Sequence, residues 1–133
     1  MTKNELKQYR YIGKEIEQLQ EEINSLRSRL MSPSGKVITW APTAPKQTDK
    51  FADTMAHIDE IEHELREKIA EYTTLYQRIE HTISSVDDSR IRGLLRSKYI
   101  QGKSWKEICE QLNYSYRQVQ YLHKQGLKMI LHL

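Results

Sequence analysis

The chain has 133 residues, of which 29% are charged, with a mean hydropathy of −0.77 and a formal net charge of +3. So much polar surface excludes a large buried core and suits elongated helices with one small globular part. A single cysteine excludes an internal disulfide, and no signal peptide or membrane-length apolar run is present, so a reducing cytosol is the expected compartment.

Thr2 and Glu5 have the spacing of a capping box, in which hydroxyl and carboxylate each satisfy the other residue's backbone N–H. Tyr9, Ile12, Ile16, Leu19, Ile23, Leu26 and Leu30 then alternate steps of three and four. That is an unbroken heptad seam, with Ile at a and Leu at d, a choice that favours two-stranded pairing. The seam stops at Met31. Residues 32–48 hold all three prolines and Gly35 and are expected to be a linker. Trp40 within it is expected to fold back onto a neighbouring helix, with anchoring of a partner as the alternative.

A second long helix is expected from Asp49 to Ser84. Phe51, Met55, Ile58, Leu65, Ile69, Tyr72, Tyr76, Ile79, Ile83 and Val86 continue one seam, interrupted by Glu62 and widened by Ile61 and Leu75. Asp59, Glu60, Glu64, Glu67 and Glu71 lie mostly outside it and read as a solvated face. The two long helices are expected to fold back as an antiparallel hairpin over residues 1–86. A pair this thin buries little alone, so a homodimer through the long helices is also expected.

The rest of the chain, 87–133, reads as a small helical domain. Ser85 to Ser89 is an Asp-rich helix start. Ile91, Leu94, Leu95 and Tyr99 follow at helical spacing, and Gly102 suits a helix end. Then come two further starts eleven residues apart. Ser104 with Glu107 opens the stripe Trp105, Ile108, Cys109 and Leu112. Asn113 tolerates the left-handed backbone of a tight turn. Ser115 with Gln118 opens the stripe Val119, Leu122, Gly126 and Ile130. Two capped short helices separated by so tight a turn form a helix-turn-helix, which places its second helix in the major groove of DNA. The predicted fold class is therefore all-α: a long N-terminal helical hairpin or coiled coil, then a three-helix helix-turn-helix domain.

Advancing 100° per residue puts Arg117, Tyr121, Lys124 and Lys128 opposite the buried stripe, with Gln118 and Gln120 flanking and Tyr116 nearer the edge. No acidic residue follows Asn113. Arg forks onto guanine and Gln pairs bidentately with adenine, so this face suits a DNA groove better than plain solvent. Arg117, Gln118, Gln120, Tyr121, Ser115 and Tyr116 are the candidates for bases and adjacent backbone. Lys124 and Lys128 are candidates for phosphates. Lys103, Ser104 and Lys106 are placed to hold the opposite backbone. Residues 87–133 hold nine Lys and Arg against four Asp and Glu, whereas 32–86 hold six against nine. That asymmetry is the footprint of a nucleic-acid module.

The segment LLRSKYIQGKSWKEICEQLNYSYRQVQYLHKQGL resembles the helix-turn-helix of region 4 of bacterial sigma factors, most clearly at Glu107-Ile108-Cys109, Leu112, Ser115 and Val119. Together with TKNELKQYRYIGKEIEQL at its start, the chain is similar to small phage and prophage transcriptional regulators related to the ArpU and RinA late-gene regulators. Cys109 stands where that pattern usually has Ala, and Asn113 where Gly is common; both are compatible with the turn. No sigma region 2 precedes the module, so a complete sigma factor is not expected. The resemblance implies double-stranded DNA as partner, RNA polymerase as a further contact, and the cytoplasm of a bacterial host.

Catalysis is not expected. The histidines His57, His63, His81, His123 and His132 show no i, i+4 pair and none is grouped with Cys109. There is no phosphate-binding glycine loop and no nucleophile set, so neither metal nor cofactor is expected. His123 falls near the inner side of its helix and is expected to be semi-buried. The alternatives to a DNA-binding regulator are a coiled-coil scaffold with a basic end and a phage DNA-packaging subunit. The second alternative usually carries its DNA-binding module first, and here that module comes last.

Overall fold

The computed structural model describes residues 1–31 and 44–131, with the side chains of 44–48 outside that description. The fold is all-α, with no strand among the described residues. The helices are α1 (Lys3–Met31), α2 (Ala44–Ser84), α3 (Ser89–Leu95), α4 (Trp105–Leu112) and α5 (Tyr116–Ile130), with a π-helical turn at Arg96–Ile100 continuing α3. No helix among the described residues is long and apolar enough to cross a membrane.

The expected linker 32–48 is shorter than its composition indicates, because α2 already begins at Ala44. Pro45 falls in the first helical turn, where its missing N–H has no helical partner to lose. Residues 32–43, Trp40 included, lie outside the described residues. The far end of α2, at Ser84, agrees with the periodicity.

The chain forms two compact units. One is Lys14–Ala70. Here the α1 and α2 segments run antiparallel, with Glu15 paired to Lys68 at 3.3 Å and Arg27 paired to Glu62. Ile23, Ile58 and Ile61 form its core, and Leu19, Leu26, Leu30 and Leu65 pack against them half-buried.

The other unit joins Met1–Gly13 to Glu71–Leu133. Thr2 and Glu5 complete their capping box, with Thr2 N–H to Glu5 Oε2 at 2.9 Å and Glu5 N–H to Thr2 Oγ1 at 3.2 Å. Glu5 also pairs with Arg78 at 2.7 Å, and the Tyr9 ring stacks on Tyr72 at 4.3 Å. Leu6, Tyr9, Ile12, Leu75, Ile79 and Ile83 are buried along this part of the two long helices. Arg92 Nη1 donates to the carbonyls of Val86 (2.6 Å) and Asp87 (2.9 Å), which fixes the corner between α2 and α3.

The buried face of α2 differs from the strict seven-residue reading. Phe51, Met55, Ile69 and Tyr76 are exposed, whereas Ile61 and Leu75 are buried. A straight α-helix drifts about 20° per heptad against a 3.5-residue repeat. Over a helix this long, the partner-facing line therefore leaves one seam and moves into the wider apolar arc that Ile61 and Leu75 provide.

Candidate nucleic-acid interface

Local capping sets the two helices of the helix-turn-helix. Ser104 has extended backbone, and its hydroxyl accepts the Glu107 N–H at 3.2 Å, so α4 starts at Trp105. Asn113 ends α4 in the left-handed region (φ 60°), and its N–H donates to the Cys109 carbonyl. Ser115 then caps α5 by accepting the Gln118 N–H at 3.2 Å. Each cap satisfies one of the orphan donors or acceptors at a helix end, so both termini are fixed by the residues themselves.

Packing sets which side of α5 faces out. Val119, Leu122, Gly126 and Ile130 are buried. Gly126 lies so close to α3 that an added Cβ would stand 2.8 Å from Ile91 Cγ2 and 3.2 Å from Leu95 Cδ1. The opposite face is open: Arg117, Gln118, Lys124 and Lys128 are exposed, and Tyr116 and Tyr121 are 61% and 62% exposed. Gln120 does not join them. It is half-buried, and its amide nitrogen is enclosed without a hydrogen-bond partner.

The cations near this face fall into two groups. Arg90 chelates the α3 N-cap Asp88, with Nη2 to Oδ2 at 3.0 Å. Arg92 is held by carbonyls, as described. Arg96 forks onto Glu80, with Nη2 to Oε1 at 2.6 Å and Nε to Oε1 at 3.0 Å, and reaches Ser84 Oγ at 3.2 Å. This hydrogen bonding holds the Glu80 carboxyl below its usual range. Lys98 Nζ lies 4.4 Å from the Trp105 ring centroid, and burial, then the charge of Arg10, lowers its pKa. Lys103 Nζ donates to Gln111 Oε1 at 2.7 Å. By contrast Lys106, Arg117, Lys124 and Lys128 have no ion pair or hydrogen bond from their side chains among the described residues. The positive excess of this region is thus partly internal bracing and partly unneutralised charge, and the unneutralised part lies on α5 and the first turn of α4.

Behind the face, His123 is half-buried. Its Nε2 lies 2.6 Å from Tyr99 Oη, and its ring meets Trp105 edge-on at 4.7 Å. Burial, followed by the charges of Lys98 and Lys3, lowers its pKa. The histidine is therefore neutral at neutral pH and joins α5 to α4 and to the π-helical turn.

Sequence reasoning confined the candidate site to 103–128. Lys3, Lys7 and Arg10 belong to the same unit, are exposed, and follow an i, i+4, i+7 spacing that is visible in the sequence.

No curated protein and no solved structure matches the chain. Residues 29–130 match the model of the family described as "Protein of unknown function (DUF1492)", and the chain belongs to that family.

Proposed function

We propose that this protein is a sequence-specific, double-stranded DNA-binding transcriptional regulator of phage or prophage genes, acting in the host cytoplasm without a catalytic step. The observation that supports this most directly is the outer face of α5. Arg117, Lys124 and Lys128 are exposed there without a carboxylate partner among the described residues, beside exposed Tyr121. A helix-turn-helix offers that face to the major groove. Arg117 and Gln118 read base edges and Tyr121 packs against them; Lys106, Lys124 and Lys128 contact phosphates, and Ser104 contacts the backbone beside α4. Gln120 has its amide turned inward and contributes little to readout.

In this reading residues 87–133 are the DNA-contacting part and 1–86 the arm through which two copies pair. Two copies present two α5 helices to two half-sites, and linkage raises affinity beyond either contact alone. Contact with RNA polymerase is part of the proposal on the sigma region 4 resemblance alone.

Selection of bound duplexes from a random library at two salt concentrations tests the function. The expected result is a two-fold symmetric motif whose affinity falls steeply with salt, because each neutralised phosphate releases counterions. Salt-insensitive or absent duplex binding would leave the coiled-coil scaffold as the better account.

A further inference from the structure

Within the unit Lys14–Ala70, α2 has two unlike outward faces. Glu60, Glu64 and Glu67 follow i, i+4, i+7 spacing and are exposed, an acidic stripe that water solvates. Roughly opposite, at about 100° per residue, the large apolar side chains of Phe51, Met55 and Ile69 are exposed. Met55, Glu62 and Ile69 recur every seven residues and so form one line. Glu62 and Ile69 also border an open groove whose α1 wall is Gln20, Asn24 and Arg27. Met31 continues that α1 spacing and is exposed too. The pairing of α1 with α2 therefore leaves an apolar line uncovered on one side of this unit, and a contiguous line of that kind marks an interaction face.

The charges beside this line select its occupant. Asp59 and Arg66, also seven residues apart, flank it; both are exposed, and neither has an ion pair among the described residues. Glu62, between them, is already paired with Arg27. Positions 55 and 69 are centred on 62, and positions 59 and 66 are centred on the same place to within one residue. A second copy laid antiparallel along α2, with the two-fold axis at Glu62, therefore sets Met55 against Ile69 of the other copy and Asp59 against Arg66 of the other copy, each twice. A parallel copy in register sets Asp59 on Asp59 and Arg66 on Arg66. Flanking charges decide orientation in paired helices, so this face complements itself in one orientation and repels itself in the other.

We infer that this side of Lys14–Ala70 is the homodimer interface, made by antiparallel packing of two α2 helices about Glu62. The inference deepens the reading of 1–86 as the arm through which two copies pair, and rests on it. Met55 and Ile69 supply the apolar contact, and Asp59 with Arg66 fixes register and direction.

The test uses the full chain carrying Cys109→Ala, which removes the one native thiol. Met55→Cys and Ile69→Cys are made in separate proteins and oxidised alone and as a mixture. In the antiparallel dimer the two copies of residue 55 lie about 21 Å apart along the helices, at roughly 1.5 Å per residue, too far for a disulfide. The expected result is a cross-linked dimer from the mixture and none from either protein alone. Sedimentation of charge variants gives a second reading. Asp59→Arg is expected to weaken the dimer about tenfold or more, since the substitution counts twice, and Asp59→Arg with Arg66→Asp is expected to recover most of the loss. Both positions are exposed, and helix content by circular dichroism checks that each variant is folded. Cross-linking of each cysteine protein with itself, or a dimer indifferent to Asp59→Arg, overturns this face while leaving pairing of the arms intact. A monomer at all concentrations overturns both the face and the pairing. Duplex binding by α5 is read separately, in the selection described above.

Discussion

Glu80 and Arg96, on consecutive sides of the α2–α3 corner, are joined by a two-pronged ion pair, with Nη2 to Oε1 at 2.6 Å and Nε to Oε2 at 3.3 Å. The pair ties the end of a long helix to the π-helical turn that precedes the helix-turn-helix. The Arg96 and Glu80 side chains are 37% and 31% exposed, so solvent screens much of the charge interaction. Arg96→Ala is expected to lower stability by only about 1 kcal/mol, read by denaturant melting. The same variant should leave the salt dependence of DNA binding unchanged, since Arg96 is already neutralised inside the protein.

Removing a cap is expected to act locally. Ser115→Ala deletes the acceptor for the Gln118 N–H and should cost about 1 kcal/mol. Because this cap starts α5, the variant should also show faster amide exchange at residues 116–118. Ser115→Asp, which keeps an acceptor and suits the helix dipole, should restore the melting temperature but weaken DNA binding by adding a negative charge beside the groove.

Gly126 marks the closest approach of α5 to α3. An alanine methyl would meet Ile91 Cγ2 at 2.8 Å, so Ile91 or α5 must shift. Gly126→Ala gains helix propensity, about 1 kcal/mol, and loses about 1–3 kcal/mol to overpacking. Net destabilisation by chemical melting is the expected outcome, and a second change, Ile91→Val, should recover part of it.

His123 gives the unit that joins Met1–Gly13 to Glu71–Leu133 a pH dependence of known sign. Its folded-state pKa is lowered from 6.5, so the unfolded chain binds the proton more readily. Stability from this residue is complete above about 6.5 and declines as pH falls from there through the lower folded value. His123→Gln keeps an acceptor for the Tyr99 hydroxyl but does not titrate. The difference in unfolding free energy between the two proteins should change as pH drops below neutrality, and a constant difference would contradict the burial of a neutral imidazole.

Much of the fold is legible because its determinants are local. Ser104, Asn113 and Ser115 act on backbone groups within four residues, so spacing alone locates α4, the turn and α5. The seam of α1 is legible for the same reason, since one partner line decides it. The linker was less legible, because proline marks a break and also tolerates a first helical turn, as Pro45 does in α2. The state of each cation was not legible at all. Arg96 finds Glu80 sixteen residues away, and Lys98 finds the Trp105 ring, so charge counts merge bracing with exposed charge. Gln120 illustrates the same limit: its angle on the wheel put it beside the outer face, and the packing that half-buries it comes from other elements.

The central claim is that α5 reads bases through Arg117 and binds phosphates through Lys124. Equilibrium binding of Arg117→Ala and Lys124→Ala to the selected duplex and to single-base variants of it, from about 50 to 200 mM salt, tests it most directly. Arg117→Ala is predicted to cost about 1–3 kcal/mol and to flatten discrimination at one base pair, while Lys124→Ala weakens all duplexes equally and lowers the salt slope by about one. Equal losses from both variants on every duplex, with no position losing discrimination, would contradict it.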